Sequence, residues 1–351
     1  MFAYFKWSFV CVIVGLALAF WRGYAVGASG LAFAFTAFSI SILEVAISFD
    51  NAVVNAVKLR HMDDKWRHRF LTWGIVIAVF GMRFVFPILI VSVFAQLPSL
   101  TVLDLALHKP DAYVQHLHHA NPGIVSFGGM FLLMLFLKFF IDKKREVHWI
   151  EPIEKLIQKL AVVRFAPEII GFAVLGALIW VLPADYRVFC GVSGLVGIAL
   201  FLGIDGMAHF LERHNRHLGE NVRLSGKAGF AAFMYLELID ASFSLDGVLG
   251  AFAFSKDVVV IAVGLGVGAM FVRSLTIMLV EKKALEKLLF LTNGAYWAIG
   301  ALAFIMLVST RHEVPEAVAA SVSAVFIVLS LVSSIRLNRR LGKAGDAGRL
   351  S

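Results

Sequence analysis

Residues 42–53 read Ile42-Leu43-Glu44-Val45-Ala46-Ile47-Ser48-Phe49-Asp50-Asn51-Ala52-Val53. Residues 238–249 read Leu238-Ile239-Asp240-Ala241-Ser242-Phe243-Ser244-Leu245-Asp246-Gly247-Val248-Leu249. With Asp50 set over Asp246, an acid, a serine four residues later and a second acid two residues after that coincide. Both stretches sit in runs of membrane-spanning apolarity. A carboxylate near a bilayer centre costs roughly 2.5–3.5 kcal/mol on insertion scales, so two matched clusters mark the place where the protein works.

The rest of the chain agrees with a membrane setting. Hydrophobic residues make up 60% and charged residues 16%, far from the balance of a soluble domain. Apolar runs long enough to cross a hydrocarbon core fall at roughly 8–26, 31–57, 70–95, 124–142, 167–183, 188–206, 226–254, 258–280, 288–309 and 316–335. The expectation is an all-α polytopic membrane protein of about ten transmembrane helices. Residues 1–351 form one integral membrane domain, and 336–351 a basic cytoplasmic tail.

The net charge of +8 is distributed by topology rather than as a nucleic-acid footprint. Lys and Arg gather in alternate loops, at Lys58, Arg60, Lys65, Arg67 and Arg69, then at Lys143, Lys144 and Arg145. They recur at Arg213 and Arg216, at Lys282, Lys283 and Lys287, and at Arg336, Arg339 and Arg340. This positive-inside pattern puts both termini in the cytoplasm of an inner (plasma) membrane protein, with no nucleic-acid partner. Cys11 and Cys190 both fall in apolar spans and predict neither a disulfide nor a thiolate metal site. The first apolar run reads as a retained helix rather than a cleaved leader, because Trp21, Arg22 and Tyr24 form an interfacial end.

The internal match extends past the acids. Gly74 to Arg83 and Gly264 to Arg273 place glycine and arginine at the same separation. Helices two and three (31–95) therefore resemble helices seven and eight (226–280), and the odd number of helices between them inverts the second copy. Two inverted halves meeting at a midplane site are a common construction of secondary transporters. Glu44, Ser48, Asn51 and Asn55 line one face of a helix at i, i+4, i+7 and i+11. Asp240, Ser244 and Gly247 form the equivalent stripe, with Glu237 one turn earlier. Asp50 and Asp246 point about a third of a turn away and join that face only if the helix is distorted, a freedom Gly247 offers in the second copy.

Intramembrane acids at Glu44, Asp50, Glu237, Asp240 and Asp246 outnumber the bases Arg83 and Arg273. The donor set is carboxylate, amide and hydroxyl oxygen, which suits hard divalent cations and not Cu⁺. The metal-ligand candidates are Glu44, Asp50, Asn51, Glu237, Asp240 and Asp246, supported by Ser48, Ser244, Asn55, Arg83 and Arg273. Gly74, Gly81, Gly264, Gly266 and Gly268 are close-packing positions. His108, His116, His118 and His119 lie in an outer loop before Pro122, a solvated loop or else a metal-collecting or pH-sensing one. Val147 to Val163 is amphipathic and lies along the cytoplasmic interface. Asp205 reads as an interfacial residue.

On these motifs, with Phe127-Gly128-Gly129-Met130-Phe131-Leu132-Leu133-Met134 and Val147-His148-Trp149, the chain resembles the TerC-like integral membrane proteins. Within that group it is similar to a branch catalogued only as a domain of unknown function. The resemblance spans the first helix to about residue 335. It implies a link to tellurium resistance and to the LysE-type exporters, some relatives being implicated in manganese efflux. It also implies Glu44, Asp50 and Asn51 as ligands from one repeat and Asp240 and Asp246 from the other. Gly247 stands where the first copy has Asn51, and Lys138 stands where this branch is expected to carry an acid.

The function expected is secondary transport that exports a divalent metal cation, Mn²⁺ first among candidates, coupled to protons. The cation is substrate rather than a permanently bound cofactor, and the protein is not an enzyme, since no serine–histidine or metalloprotease motif is present. The alternative is a non-transporting membrane scaffold or stress-response protein whose intramembrane acids and arginines are structural pairs.

Overall fold

A computed structural model describes residues 2–94, 96–216, 224–255, 257–312 and 314–347. Among them the regular secondary structure is all helical, apart from one isolated bridge between Met62 and Leu224. Helix α1 spans Phe2–Ala25, α2 Gly30–Ile47, α3 Phe49–Leu59 and α4 Asp64–Val76. A π-helical segment, Ile77–Val85, leads into α5 (Phe86–Phe94). There follow α6 (Ser99–His108), α7 (Pro110–Phe140), α8 (Glu151–Lys159), α9 (Ala166–Val181) and α10 (Ala184–Arg216). The remainder is α11 (Gly226–Phe254), α12 (Val258–Glu281), the short α13 (Ala284–Lys287), α14 (Leu291–Ser309) and α15 (Glu316–Ala347).

Seven of these helices are long and apolar enough to cross a membrane, or eight if the pair of α8 and α9, bent by 104°, is one span. Among the described residues the expected ten are not all found, and local features interrupt some of the runs. The 70–95 run is interrupted by the π segment, which ends next to Pro87, a residue with no N–H for the carbonyl four residues back. Helix α9 has only 16 residues. The run at 31–57 is likewise two helices, α2 and α3, broken at Ser48.

Close backbone approach builds the half of the bundle around α12. A methyl added at Gly264 would come within 2.7 Å of Ile40 Cβ, and one at Gly268 within 2.5 Å of Glu44 Cβ. Small residues at those crossings let α2 lie directly on α12. Asp257 caps α12 by accepting from the Val259 and Val260 amides at 3.0 and 3.1 Å. Its other oxygen takes Arg22 Nε at 3.0 Å, which ties the end of α1 to the start of α12. In the other half α7, α10 and α14 share an aromatic core, with Phe139 stacked on Tyr296 at 3.6 Å and Phe131 edge-on to Phe201. Ile13, Leu31, Phe35, Trp180, Val188 and Phe304 are exposed around the outside, which is the surface a lipid solvent accepts.

The amphipathic stretch at 147–163 holds a feature hidden from periodicity. Glu154 of α8 is fully buried and accepts five hydrogen bonds. Arg145 Nη2 donates at 2.5 Å, Asn293 Nδ2 at 2.9 Å, Trp297 Nε1 at 3.0 Å, and the Trp149 and Ile150 amides at 3.2 Å. The carboxylate therefore joins α8 to α14 and to the segment leaving α7. The histidine-bearing stretch is also different from the expected loop. His108 ends α6, and His116, His118 and His119 lie on α7, which continues through Pro122. Cys11 and Cys190 are free.

Removing one partner of a buried ion pair costs about 3–5 kcal/mol. Glu154→Ala is expected to lose about that much stability, read as a drop in thermal unfolding temperature in detergent. Glu151→Ala, which removes an exposed Glu151–Lys155 pair, should stay within about 0.5 kcal/mol of wild type.

Candidate functional site

The first acidic motif folds around a helix break. Helix α2 ends at Ile47 and α3 starts at Phe49, with Ser48 between them at φ −93° and ψ 13°. The backbone bonds step from Ser48 N–H to Glu44 O directly to Ala52 N–H to Ser48 O, so the helical ladder is interrupted there. Ser48 Oγ donates to Glu44 Oε1 at 2.9 Å, and Asp50, in the first turn of α3, accepts from the Asn51 amide at 2.8 Å. An acid in a first turn also meets the positive end of the helix dipole. The distortion thus falls in the first acidic motif. Helix α11, despite Gly247, is unbroken from Gly226 to Phe254.

Side-chain contacts fix how the helices run. Glu44 Oε2 lies 2.6 Å from where a Cβ would stand on Gly247, and Asn51 Nδ2 donates a short hydrogen bond to Asp240 Oδ1. Going from residue 44 to 51 on one side goes from 247 to 240 on the other, so α2 and α3 pack antiparallel to α11. Helix α4 runs parallel to α11 instead: Trp66 meets Gly229, Phe70 meets Phe233, and Gly74 meets Glu237, in steps of four on both helices. Helix α12 runs parallel to α2, with Gly264 on Ile40 and Gly268 on Glu44.

Arg273 of α12 reaches into the crossing of α4 and α11. Its Nη1 donates to Phe70 O at 3.0 Å, and its Nη2 to Gly74 O at 2.8 Å and to Glu237 Oε1 at 3.4 Å. Asp240 Oδ2 is 3.8 Å away, and the guanidinium lies over the Phe70 ring at 3.9 Å. Gly74 is required here, since a Cβ would come within 2.6 Å of Glu237 Oε1 and 2.7 Å of Arg273 Nη1. Glu44, Ser48, Asp50, Asn51, Asn55, Glu237, Asp240 and Arg273 are all 4% exposed or less. Asn51 Oδ1 and Asn55 Oδ1 are buried with no hydrogen-bond partner among the described residues.

The structure therefore brings Asn51 of the first acidic motif onto Asp240 of the second, and Arg273 onto Glu237 and Asp240. Glu44 and Ser48 lie a helix break away, beside Gly247. Among the described residues, no three His, Cys, Asp or Glu side chains gather closely enough to hold a metal ion by themselves. The side chains of Arg83, Ser244 and Asp246 lie outside the described residues. One pair escaped the sequence: Lys138 Nζ meets Asp205 Oδ2 at 2.8 Å and joins α7 to α10. At 67 residues apart, nothing local could announce it.

These features define a multi-pass helical membrane protein that buries acids, amides and an arginine where a broken helix crosses a continuous one. The chain belongs to the family described as Protein of unknown function (DUF475), whose model matches residues 49–341. That range includes Asp50, Asn51, Asn55, Glu237, Asp240, Asp246 and Arg273, and begins after Glu44. No curated protein and no solved structure matches the chain.

Arg273→Ala would leave the Glu237 and Asp240 carboxylates facing a lost counter-charge, at an expected cost of about 3–5 kcal/mol. Adding Glu237→Gln should recover part of that loss. The coupling in a double-mutant cycle, read by thermal unfolding in detergent, is expected to be about 0.5–3 kcal/mol.

Proposed function

We propose that the protein is a secondary transporter that moves a hard divalent cation across the inner membrane. Export is the proposed direction and Mn²⁺ the leading substrate, with protons as the coupling ion. The observation that carries the reading is the Asn51–Asp240 contact, which joins the two acidic motifs at a helix break inside the bundle. Discontinuous helices at buried polar crossings are where transporters bind ions. Oxygen donors of carboxylate and amide type favour Mg²⁺, Ca²⁺ and Mn²⁺.

Other observations support the same reading. The matched helices α2–α3 and α11 pack antiparallel, the relation that inverted copies would have. The resemblance to TerC-like proteins and LysE-type exporters points to efflux. The loop charges favour both termini in the cytoplasm. In this mechanism acids from α3 and α11 take the ion from one side, and the two halves rock to open the site to the other. Protonation of a carboxylate then lowers its hold on the cation.

A second reading has its own observation. Arg273 already occupies Glu237 and Asp240, as it would in a membrane scaffold held by structural ion pairs. Cells lacking the protein separate the two. Total Mn, Mg, Ca, Fe and Zn would be measured in the null, with wild type restored, and with Asp50→Asn plus Asp246→Asn at matched membrane levels. Transport predicts that one metal rises in the null, returns with wild type and stays high with the double variant. If no metal moves under excess of each, cation transport is wrong. If the double variant instead fails to accumulate in the membrane, the scaffold reading gains.

A further inference from the structure

We infer that the cation site is one-sided: a single, partly hydrated hard divalent cation binds at the Asp240 end of the motif crossing, on the amide oxygens of Asn51 and Asn55. This rests on the cation-transport reading and says where in the paired motifs the ion sits, and how many ions there are.

The two motifs meet in a symmetric way with unequal residues. In the alignment that sets Asp50 over Asp246, Glu44 falls on Asp240, Asn51 on Gly247 and Asn55 on Ala251. The structure contains both reciprocal contacts: Asn51 against Asp240, and Gly247 against Glu44. Each acid therefore meets the same position of the opposite copy. At the Asp240 end that position carries an amide, followed one turn later by another. At the Glu44 end it carries no side chain, followed by a fully buried Ala251. Gly247 and Gly268 press on the Glu44 side chain there, with no room for a methyl on either.

The two amides are built to accept. A carboxylate oxygen only accepts, so Asn51 must present its Nδ2 to Asp240, and this turns its Oδ1 away. Asn51 Oδ1 and Asn55 Oδ1 then stand one helical turn apart on α3, both buried, neither with a hydrogen-bond partner among the described residues. A buried acceptor left unmet is costly, and a cation meets it. Carbonyl-type oxygens, a carboxylate and retained waters form a usual shell for Mg²⁺, Ca²⁺ and Mn²⁺. Amide donors also explain how the site can take a cation where, among the described residues, three acids do not converge. With Arg273 keeping Glu237, the neutral amides coordinate without adding further buried charge.

The test is direct binding of Mn²⁺, Mg²⁺ and Ca²⁺ to the purified full-length protein in lipid nanodiscs, by calorimetry and, for Mn²⁺, by loss of the free-ion EPR signal. Wild type is expected to bind one ion per protomer. Asn51→Gly with Asn55→Ala, which installs the second copy's residues, should weaken binding by roughly 10–100-fold. Asn55→Asp, which keeps an oxygen donor, should bind more tightly than Asn55→Leu, which removes it, and gel filtration of both controls for folding. Two ions per protomer, or full affinity in the Asn51→Gly/Asn55→Ala protein, overturns the one-sided site and leaves cation transport standing. Absence of any divalent binding by wild type overturns both.

Discussion

An ionised carboxylate inside an apolar bundle persists only when something compensates its lost hydration, and this requirement organises the protein's centre. Asp240 receives Asn51 from one side and faces Arg273 on the other. Arg273 in turn is held by the carbonyls of Phe70 and Gly74, so the acid, the arginine and the backbone of α4 form one connected unit. That unit needs α4, α11 and α12 to approach within side-chain reach, and Gly74 is what allows it. The helix directions follow from the same demand. Once α3 meets α11 antiparallel and α4 meets it parallel, the loops between them have little freedom in where they lead.

Much of this was legible in the residues. The apolar runs mark where the helices are, the matched acids mark the buried crossing, and the spacing of Asn51 and Asn55 puts two amides on one face. Hydropathy could not say which runs would stay whole. Residues 41–56 contain neither Gly nor Pro, the usual causes of a break, yet α2 stops at Ile47. Gly247, where freedom was expected, sits in an unbroken helix and serves instead as space for Glu44. A glycine in sequence announces either backbone freedom or close approach, and only the neighbour decides between them.

Long-range polar pairs were the least visible. Glu154 looks like an ordinary charge on an amphipathic helix, since two of its donors, Asn293 and Trp297, come from across the fold. Lys138 and Asp205 gave no local sign of each other either. In each case the chain records only that a polar residue exists. Which helix brings its partner depends on packing directions that composition and periodicity do not carry.

The contrast between Glu154 and the motif crossing separates two uses of buried polarity. Glu154 accepts five donors, so the acceptor capacity of this carboxylate is spent without any guest, although Arg145 Nη1 beside it is buried with no hydrogen-bond partner among the described residues. A carboxylate whose acceptors are all met in that way rigidifies a fold. At the crossing the same desolvation has been paid, but the amide oxygens of Asn51 and Asn55 are left with acceptor capacity beside a carboxylate. A purely structural network gains nothing from leaving acceptors open, because each open one weakens the fold. Under the proposed reading, the open acceptors gain a role because a cation comes and goes. The difference in saturation between these two sites, more than the number of acids in either, is the physical ground for reading one as a fastener and the other as a binding site.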